Sequence, residues 1–138
     1  MKLPSFSVTV QNFNHARHLP KCLDSVLQQS LQPSEILVLD DASTDNSVEV
    51  IKGYERKHSH LRLIQNECNL GAVGNVNRAV ELAREDYIFS SAADDTIAPG
   101  FFEKSLGLLG PHPQAGLSCT IGDWRELDTG VNWHMGWE

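Results

Sequence analysis

Positive charge is scarce in this sequence. Eleven Lys and Arg stand against eighteen Asp and Glu, a net charge of −7 over 138 residues. Non-specific nucleic-acid binding runs on clustered cations, so this balance argues against it. Cysteine is scarcer still: Cys22, Cys68 and Cys119 are widely spaced and odd in number. That argues against a disulfide framework or a CxxC metal site and fits a reducing cytoplasm. No apolar stretch approaches the length that spans a bilayer. Met1–Val10 holds one Lys and no apolar run leading to a small-residue cleavage site, so a secretory signal is not expected. Internal repeats, low-complexity tracts and linkers are lacking too. What remains is ordinary globular composition, 41% hydrophobic and 21% charged, in a chain of one-domain size.

Short β-rich runs alternate with segments of helical period, which predicts an α/β fold with a mostly parallel sheet and helices on both faces. The first strand is Phe6–Val10. A helix follows in which Leu19, Cys22, Leu23, Val26 and Leu27 form one apolar stripe. Ile36–Leu39 is a continuous apolar run, the mark of a strand covered on both faces, and it stops at Asp40-Asp41. Ser43 or Asp45 is placed to cap a second helix with Val48, Ile51 and Tyr54 on its apolar face. Leu61–Ile64 reads as a third strand and Asn69-Leu70-Gly71 as a turn. A third helix carries Val76, Ala79, Val80 and Ala83 on one face. Tyr87–Phe89 is a fourth strand, running into Ser90-Ser91-Ala92-Ala93-Asp94-Asp95. Pro99 suits the first turn of a fourth helix with Phe102, Leu106 and Leu109 inward. Leu117–Ile121 reads as a fifth strand. Beyond it, 122–138 holds all three Trp without a clean period, and the pattern is that of a fold that continues, the first half of something larger.

Open parallel sheets bind ligands at the carboxyl ends of their strands, where strand order reverses. Asp40-Asp41 and Asp94-Asp95 fall at two such ends. If both strands neighbour the first, these like charges share a crevice and need a cation or hydrogen-bond donors to compensate them. Hard oxygen ligands suit Mg²⁺ or Mn²⁺, and Mg²⁺ commonly binds through one or two carboxylates plus phosphate oxygens. Asp at a strand end also serves simply as a turn former or cap. For Asp40 a wholly structural role, bonding backbone in its own loop, stands beside the functional one, and Asp45 reads as a cap.

The runs Ser7-Val8-Thr9-Val10-Gln11-Asn12-Phe13-Asn14, Leu19 to Gln29, and Leu37-Val38-Leu39-Asp40-Asp41-Ala42-Ser43-Thr44-Asp45 resemble the opening of family 2 glycosyltransferases with the GT-A fold. Asn69 to Asn77 and Tyr87 to Asp95, with Pro99-Gly100, continue the resemblance in order and spacing over about residues 5–120. The resemblance implies a nucleotide-sugar-binding half-domain over 1–121 and the start of an acceptor-side region over 122–138. It implies transfer of a sugar from a nucleotide diphosphate sugar, with inversion, to a glycan, lipid-linked or protein acceptor. Phe13 matches an aromatic that packs on the base, for which a phenyl face suffices. Asp41 matches a carboxylate against the base. Uracil offers it an N–H at N3, which favours a uridine nucleotide without excluding thymidine. Gln11 and Asn12 would line the same wall. Asp94 and Asp95 match the end of the family's Asp-X-Asp signature, one carboxylate on the ribose and one on Mn²⁺ or Mg²⁺, with the division between them left open.

Two departures from the family pattern stand out. Ala92 replaces the first Asp of the signature, and Val76 replaces an Arg found in many relatives. Arg78 is two residues on from Val76, and its neighbour Asn77 is the residue expected to tie that helix to the acidic loop. The general base of an inverting enzyme lies downstream of the Asp-X-Asp segment. Of the later acids, Asp123, Glu126, Asp128 and Glu138, none sits in a recognisable base motif, and Asp128-Thr129-Gly130 resembles a hairpin turn.

Two rival readings belong to other classes. A catalytically incomplete nucleotide-binding module fits the missing Asp and Arg. A phosphoacceptor receiver domain needs an acidic pair after strand one and a Lys after strand five; Gln11-Asn12 and the lack of a Lys beyond Ile121 argue against it. His15 and His18 find no third metal ligand, and Cys22 reads as core. The Trp residues of the tail would favour self-association if left uncovered. A cytoplasmic location, at the inner face of a membrane for a lipid-linked acceptor, completes the expectation.

Overall fold

In a computed structural model, the structure describes residues 4–119, 123–125 and 130–134. Ten elements follow in chain order: β1 (Phe6–Asn12), α1 (Leu19–Leu27), β2 (Glu35–Asp40), α2 (Ser47–Glu55), β3 (Leu61–Gln65), α3 (Gly71–Leu82), β4 (Tyr87–Ala92), α4 (Phe101–Leu109), β5 (Asp123–Arg125) and β6 (Asn132–His134). The first four strands form one sheet in the order β3-β2-β1-β4, every pair parallel. The chain steps outward from β1 to β3, then returns to β1's other side as β4. The strand order therefore reverses at β1, in the middle of the sheet.

Alternation along the strands divides the apolar side chains between two faces. Val8, Val10, Ile36 and Val38 meet α1, α2 and α4 in the larger core. Leu37 and Leu39 meet Ala79 of α3 on the opposite face. Helices thus cover both faces, as expected for a sheet whose second strand is apolar throughout. Leu19, Cys22, Leu23 and Val26 of α1 are fully buried, and Leu27 packs at their edge. Phe102, Leu106 and Leu109 point inward from α4.

Several local expectations need correction. Val80 is 52% exposed, because Ala79 and Leu82 set the rotation of α3 against Leu37 and Leu39. On α2 the core takes Val50 beside Ile51 and Tyr54 rather than Val48. Pro99 precedes α4 instead of opening it. Gly100, at φ +74°, makes the left-handed turn into the helix that a Cβ would disfavour. Leu117–Cys119 form no strand and Leu117 is 78% exposed, since within the described residues nothing pairs with them; Thr120 and Ile121 lie outside the description. The tail contains a regular element after all: β5 and β6 pair antiparallel with Trp124 opposite Trp133. Asp128 and Thr129 of the expected turn, Glu126, Trp137 and Glu138 lie outside the described residues. Among the described residues, no helix is long and apolar enough to cross a membrane.

Candidate functional site

With β1 flanked by β2 and β4, the carboxyl ends that bear Asn12-Phe13, Asp40-Asp41 and Asp94-Asp95 lie side by side. The condition for a shared acidic crevice is met. The acids in it fall into two kinds.

Those after β2 are buried and hydrogen-bonded. Asp40 is fully buried: its Oδ1 accepts from Asn12 Nδ2 (2.7 Å) and its Oδ2 from Ser43 N–H (3.1 Å). It is the structural aspartate of its own loop. That loop passes Ala42 at φ +59°, a left-handed residue that costs about 1–2 kcal/mol without glycine. Asp41 is also buried. Its Oδ1 accepts from Asn66 Nδ2 (2.7 Å) and Leu70 N–H (2.8 Å), its Oδ2 from Gly71 N–H (3.0 Å). The carboxylate thus sits on the first amides of α3, where the helix dipole favours negative charge. A carboxylate oxygen accepts two hydrogen bonds, so Oδ2 keeps one acceptor position open. Asp45 accepts from Ser47 N–H (2.9 Å) and Ala16 N–H (3.0 Å). Burial raises its pKa, but these bonds outweigh that and hold it below the usual carboxylate value. It closes a turn onto Ser47, and the N-cap of α2 is Asn46, so neither Asp45 nor Ser43, which is taken up by Asn12 and Asn14, caps that helix as the sequence suggested.

Asp94 and Asp95 differ in kind. Both are exposed, above buried Ala93. Among the described residues neither carboxylate has a hydrogen-bond or ion-pair partner; only the backbone of Asp95 is engaged, its N–H on Ala92 C=O (3.1 Å). Two adjacent free carboxylates are a donor set that fits Mg²⁺ or Mn²⁺ with water and phosphate completing the shell. No group of three or more His, Cys, Asp or Glu side chains among the described residues makes a self-sufficient metal cage.

The base wall is only partly as expected. Phe13 is 43% exposed between two fixed neighbours. Asn12 is buried, and Asn14 accepts from Thr44 N–H (2.7 Å) and Asp45 N–H (3.2 Å) while donating its own N–H to Ser43 Oγ (2.9 Å). A phenyl ring held in the open by a rigid loop is a ready stacking platform. Asn12 itself is not on the surface. Its amide bonds Asp40 and Ser43 Oγ (3.1 Å), so it braces the acidic loop and does not line the crevice. Gln11 turns along the sheet, donating to Thr9 Oγ1 (3.1 Å) and accepting from Ser90 Oγ (3.2 Å).

Sequence reasoning missed the network behind Asp41. Asn66, just past β3, donates to Asp41 and also to Asn75 Oδ1 (3.0 Å), and Arg78 Nη1 donates to Asn66 Oδ1. Asn75 in turn reaches Leu39 C=O (3.4 Å). The tether of α3 is therefore Asn75; Asn77, expected in that role, is exposed and its side chain bonds nothing. Asn75 and Arg78, three apart, share one helix face, so Arg78 does turn toward this network. The signal available beforehand was Asn75 four residues before Ala79, on the same helix face, with Arg78 at its side.

Cys22 lies under the acidic corner, its Sγ 3.5 Å from Ala92 C=O. Burial pushes its thiol up to about 12, with Asp95 and Asp94 adding and Ser91 opposing. At pH 8 iodoacetamide should label exposed Cys68 and Cys119 and spare Cys22 until the chain is unfolded; prompt labelling of Cys22 in the native protein would contradict its placement. The native state holds this proton more tightly than the unfolded one. The stability it contributes is therefore complete below pH 9.0 and is lost as pH rises toward 12. His15 and His18 stack edge to face at 5.8 Å with Arg17 Nε on His18 Nε2 (2.7 Å), a surface pair without a third ligand.

Comparison with known proteins bears on this geometry. The sequence profile of Glycosyl transferase family 2 matches residues 7–137. The chain belongs to glycosyl transferase family 2. It is 32% identical over 127 residues to the uncharacterized glycosyltransferase YibD of Escherichia coli strain K12, covering 92% of this chain and 36% of YibD. It is 27% identical over 139 residues to Escherichia coli chondroitin synthase, covering 96% of this chain and 20% of that enzyme. This family 2 chain spans about a third of the length of the curated relatives it matches. Among solved structures, Staphylococcus aureus TarS 1–349 superposes with a TM-score of 0.71 at 27% identity, over 79% of this chain and 33% of TarS 1–349. The mannosyltransferase PcManGT of Pyrobaculum calidifontis, crystallised with GDP-Man and Mn²⁺, gives 0.72 at 23% identity, over 79% and 33%. The GT-A fold implied by the sequence resemblance is the fold found.

Proposed function

We propose that this chain is the donor-binding part of a glycosyltransferase that takes a UDP-sugar together with Mn²⁺ or Mg²⁺ and passes the sugar, with inversion, to a glycan, lipid-linked or protein acceptor. One observation carries the reading. Neighbouring strand ends at the reversal point of a parallel sheet carry an exposed phenyl ring, a buried carboxylate with one open acceptor position, and two exposed carboxylates without a partner among the described residues. These match in turn a base face, an imide N–H and a cation-bridged diphosphate.

Phe13 stacks on the base. Asp41 Oδ2 accepts the N3–H of uracil. Asp94 and Asp95 divide the ribose hydroxyls and the cation between them. The cation, when bound, supplies Lewis-acid stabilisation of the charge that gathers on the departing diphosphate. Asn12 serves this site through the acidic loop it braces, and Gln11 through its place on β1 beside Ser90 of β4. The base that removes the acceptor's proton is assigned to no residue of this chain. TarS has been crystallised with UDP-GlcNAc and PcManGT with GDP-Man and Mn²⁺, which supports a nucleotide-sugar donor and leaves the base to be chosen by experiment.

That experiment is a calorimetric titration with UDP, in Mn²⁺ and then in chelator, with GDP as control. Binding that needs Mn²⁺ and prefers UDP is expected, and Phe13→Ala should weaken it by about tenfold, the worth of one stacked base. No binding of any nucleotide would withdraw the reading for this chain. Intact binding without any hydrolysis of a UDP-sugar would favour the catalytically incomplete module.

A further inference from the structure

The loop that carries Asp94 and Asp95 has little of its own to hold it. Within the described residues its backbone closes two turns, Asp95 N–H to Ala92 C=O and Phe101 N–H to Ala98 C=O (3.2 Å), and ties once to β1 through Ala93 N–H to Gln11 C=O (2.9 Å). The rest of its support comes from α1. Cys22, Ser25 and Gln29 stand at i, i+3 and i+7, one face of a helix. Gln29 lies just past Leu27, but its N–H still bonds Val26 C=O (3.2 Å), so it prolongs that face.

Each of the three grips the loop's backbone at a different point. Cys22 Sγ lies 3.5 Å from Ala92 C=O, before the acidic pair. Ser25 Oγ donates to Cys22 C=O (2.7 Å) and accepts from Ile97 N–H (3.0 Å), just after it. Gln29 Nε2 donates to Ser25 C=O and Ala98 C=O (both 3.0 Å), with Ile97 C=O at 3.5 Å, and Oε1 accepts from Phe101 N–H (3.1 Å).

Gln29 is 5% exposed. Packing alone would favour an apolar residue in so buried a place, since a buried amide is tolerated only when its hydrogen bonds are made. All of Gln29's are made, and all but the one to Ser25 go to loop backbone groups, where they reinforce the turn that Phe101 N–H and Ala98 C=O close. Between the gripped points hang three exposed residues, Asp94, Asp95 and Thr96. The carboxylates repel each other, and a free loop would relax by spreading them apart.

We propose that Gln29 and Ser25 are positioning residues for the acidic corner: from α1 they fix the backbone after Asp94-Asp95, so that one carboxylate meets a divalent cation on a nucleoside diphosphate while the other meets its ribose. The inference rests on the donor-site reading above and adds to it a preorganising shell on a rigid element.

The test titrates UDP in Mn²⁺ into the full chain and its Ser25→Ala, Ser25→Thr and Gln29→Met variants. UMP in chelator, titrated in parallel, probes the base and ribose contacts without the cation. Ser25→Ala and Gln29→Met should weaken UDP binding in Mn²⁺ by about 10- to 100-fold, the usual effect of losing a partner behind a metal ligand. UMP binding, which lacks the cation contact, should fall much less, and Ser25→Thr, which keeps the hydroxyl, should behave as wild type. Metal-free amide exchange at Ile97 should quicken in Ser25→Ala, and at Phe101 in Gln29→Met, while β1 stays protected. Folded Ser25→Ala and Gln29→Met proteins with wild-type affinity for UDP in Mn²⁺ would overturn the positioning claim alone. So would an equal loss of UMP and UDP binding, which is the mark of general destabilisation. Should Gln29→Met not fold, the Ser25 pair decides by itself. A wild-type chain that gains nothing from Mn²⁺ overturns the donor-site reading, and this inference with it.

Discussion

Changing Asp94 and Asp95 together to asparagine is expected to make UDP binding the same in Mn²⁺ as in chelator. Both carboxylates are exposed and, among the described residues, hold nothing else in place, so the double substitution touches no hydrogen bond described there. Its effect on stability should stay within about 0.5 kcal/mol, as for other exposed positions, with removal of the like-charge pair acting on the favourable side. Binding should respond very differently. An amide keeps one oxygen but loses the charge that draws a hard dication out of water. The loss should reach at least the roughly 100-fold upper end seen for partners one layer further out. The single variants then divide the roles. The one holding the cation should abolish the difference between Mn²⁺ and chelator; the one on the ribose should weaken UDP in both. Persistence of a metal-dependent gain in the double variant would move the cation elsewhere.

The sequence made this pair visible but did not separate it from its counterpart after β2. Both are Asp-Asp at the end of a strand, and what distinguishes them lies far along the chain. Asp41 is buried because Asn66, Leu70 and Gly71 come back to it. Asp94 and Asp95 are free because the groups that fix their loop bond its backbone and leave its side chains alone. Local pattern fixes the sheet well, since an uninterrupted run such as Ile36–Leu39 has one stable place, between two layers of helix. It fixes helix rotation poorly. Asn75 and Asn77 are equally polar, and only the seating of Ala79 against Leu37 and Leu39 decides that the first is buried and the second exposed. The run Leu117–Cys119 shows the converse limit: β propensity makes a strand only where a neighbour accepts its hydrogen bonds. Gln29 was passed over because a glutamine near a helix end looks solvated until the loop it carries is known.

Asp41→Asn is the substitution expected to change both stability and specificity. The carboxylate accepts three hydrogen bonds in a buried place, one from a side-chain amide and two from the first amides of α3. Asparagine preserves the shape but turns one acceptor oxygen into a donor. If the amide nitrogen replaces Oδ1, it faces Asn66 Nδ2 and Leu70 N–H; if it replaces Oδ2, it faces Gly71 N–H. The second orientation sacrifices fewer bonds and should prevail. It still loses one charge-assisted bond and the favourable charge at the helix start, and it leaves a buried N–H unpaired. The cost should be about 3 kcal/mol, read as a lower denaturant midpoint without a change in slope. The same orientation reverses the wall that faces the base. Where the proposed donor site has Oδ2 accept the N3–H of uracil, the variant would present an N–H, which suits the bare N3 of cytosine. UDP should therefore weaken markedly and CDP should gain relative to it, because a site built for one hydrogen-bond polarity rejects the opposite one strongly. Measured by parallel titration in Mn²⁺, the ratio of UDP to CDP affinity is the decisive quantity. A variant that folds with the same preference as wild type would show that Asp41 serves only as the anchor of α3 and that the base is read from somewhere else.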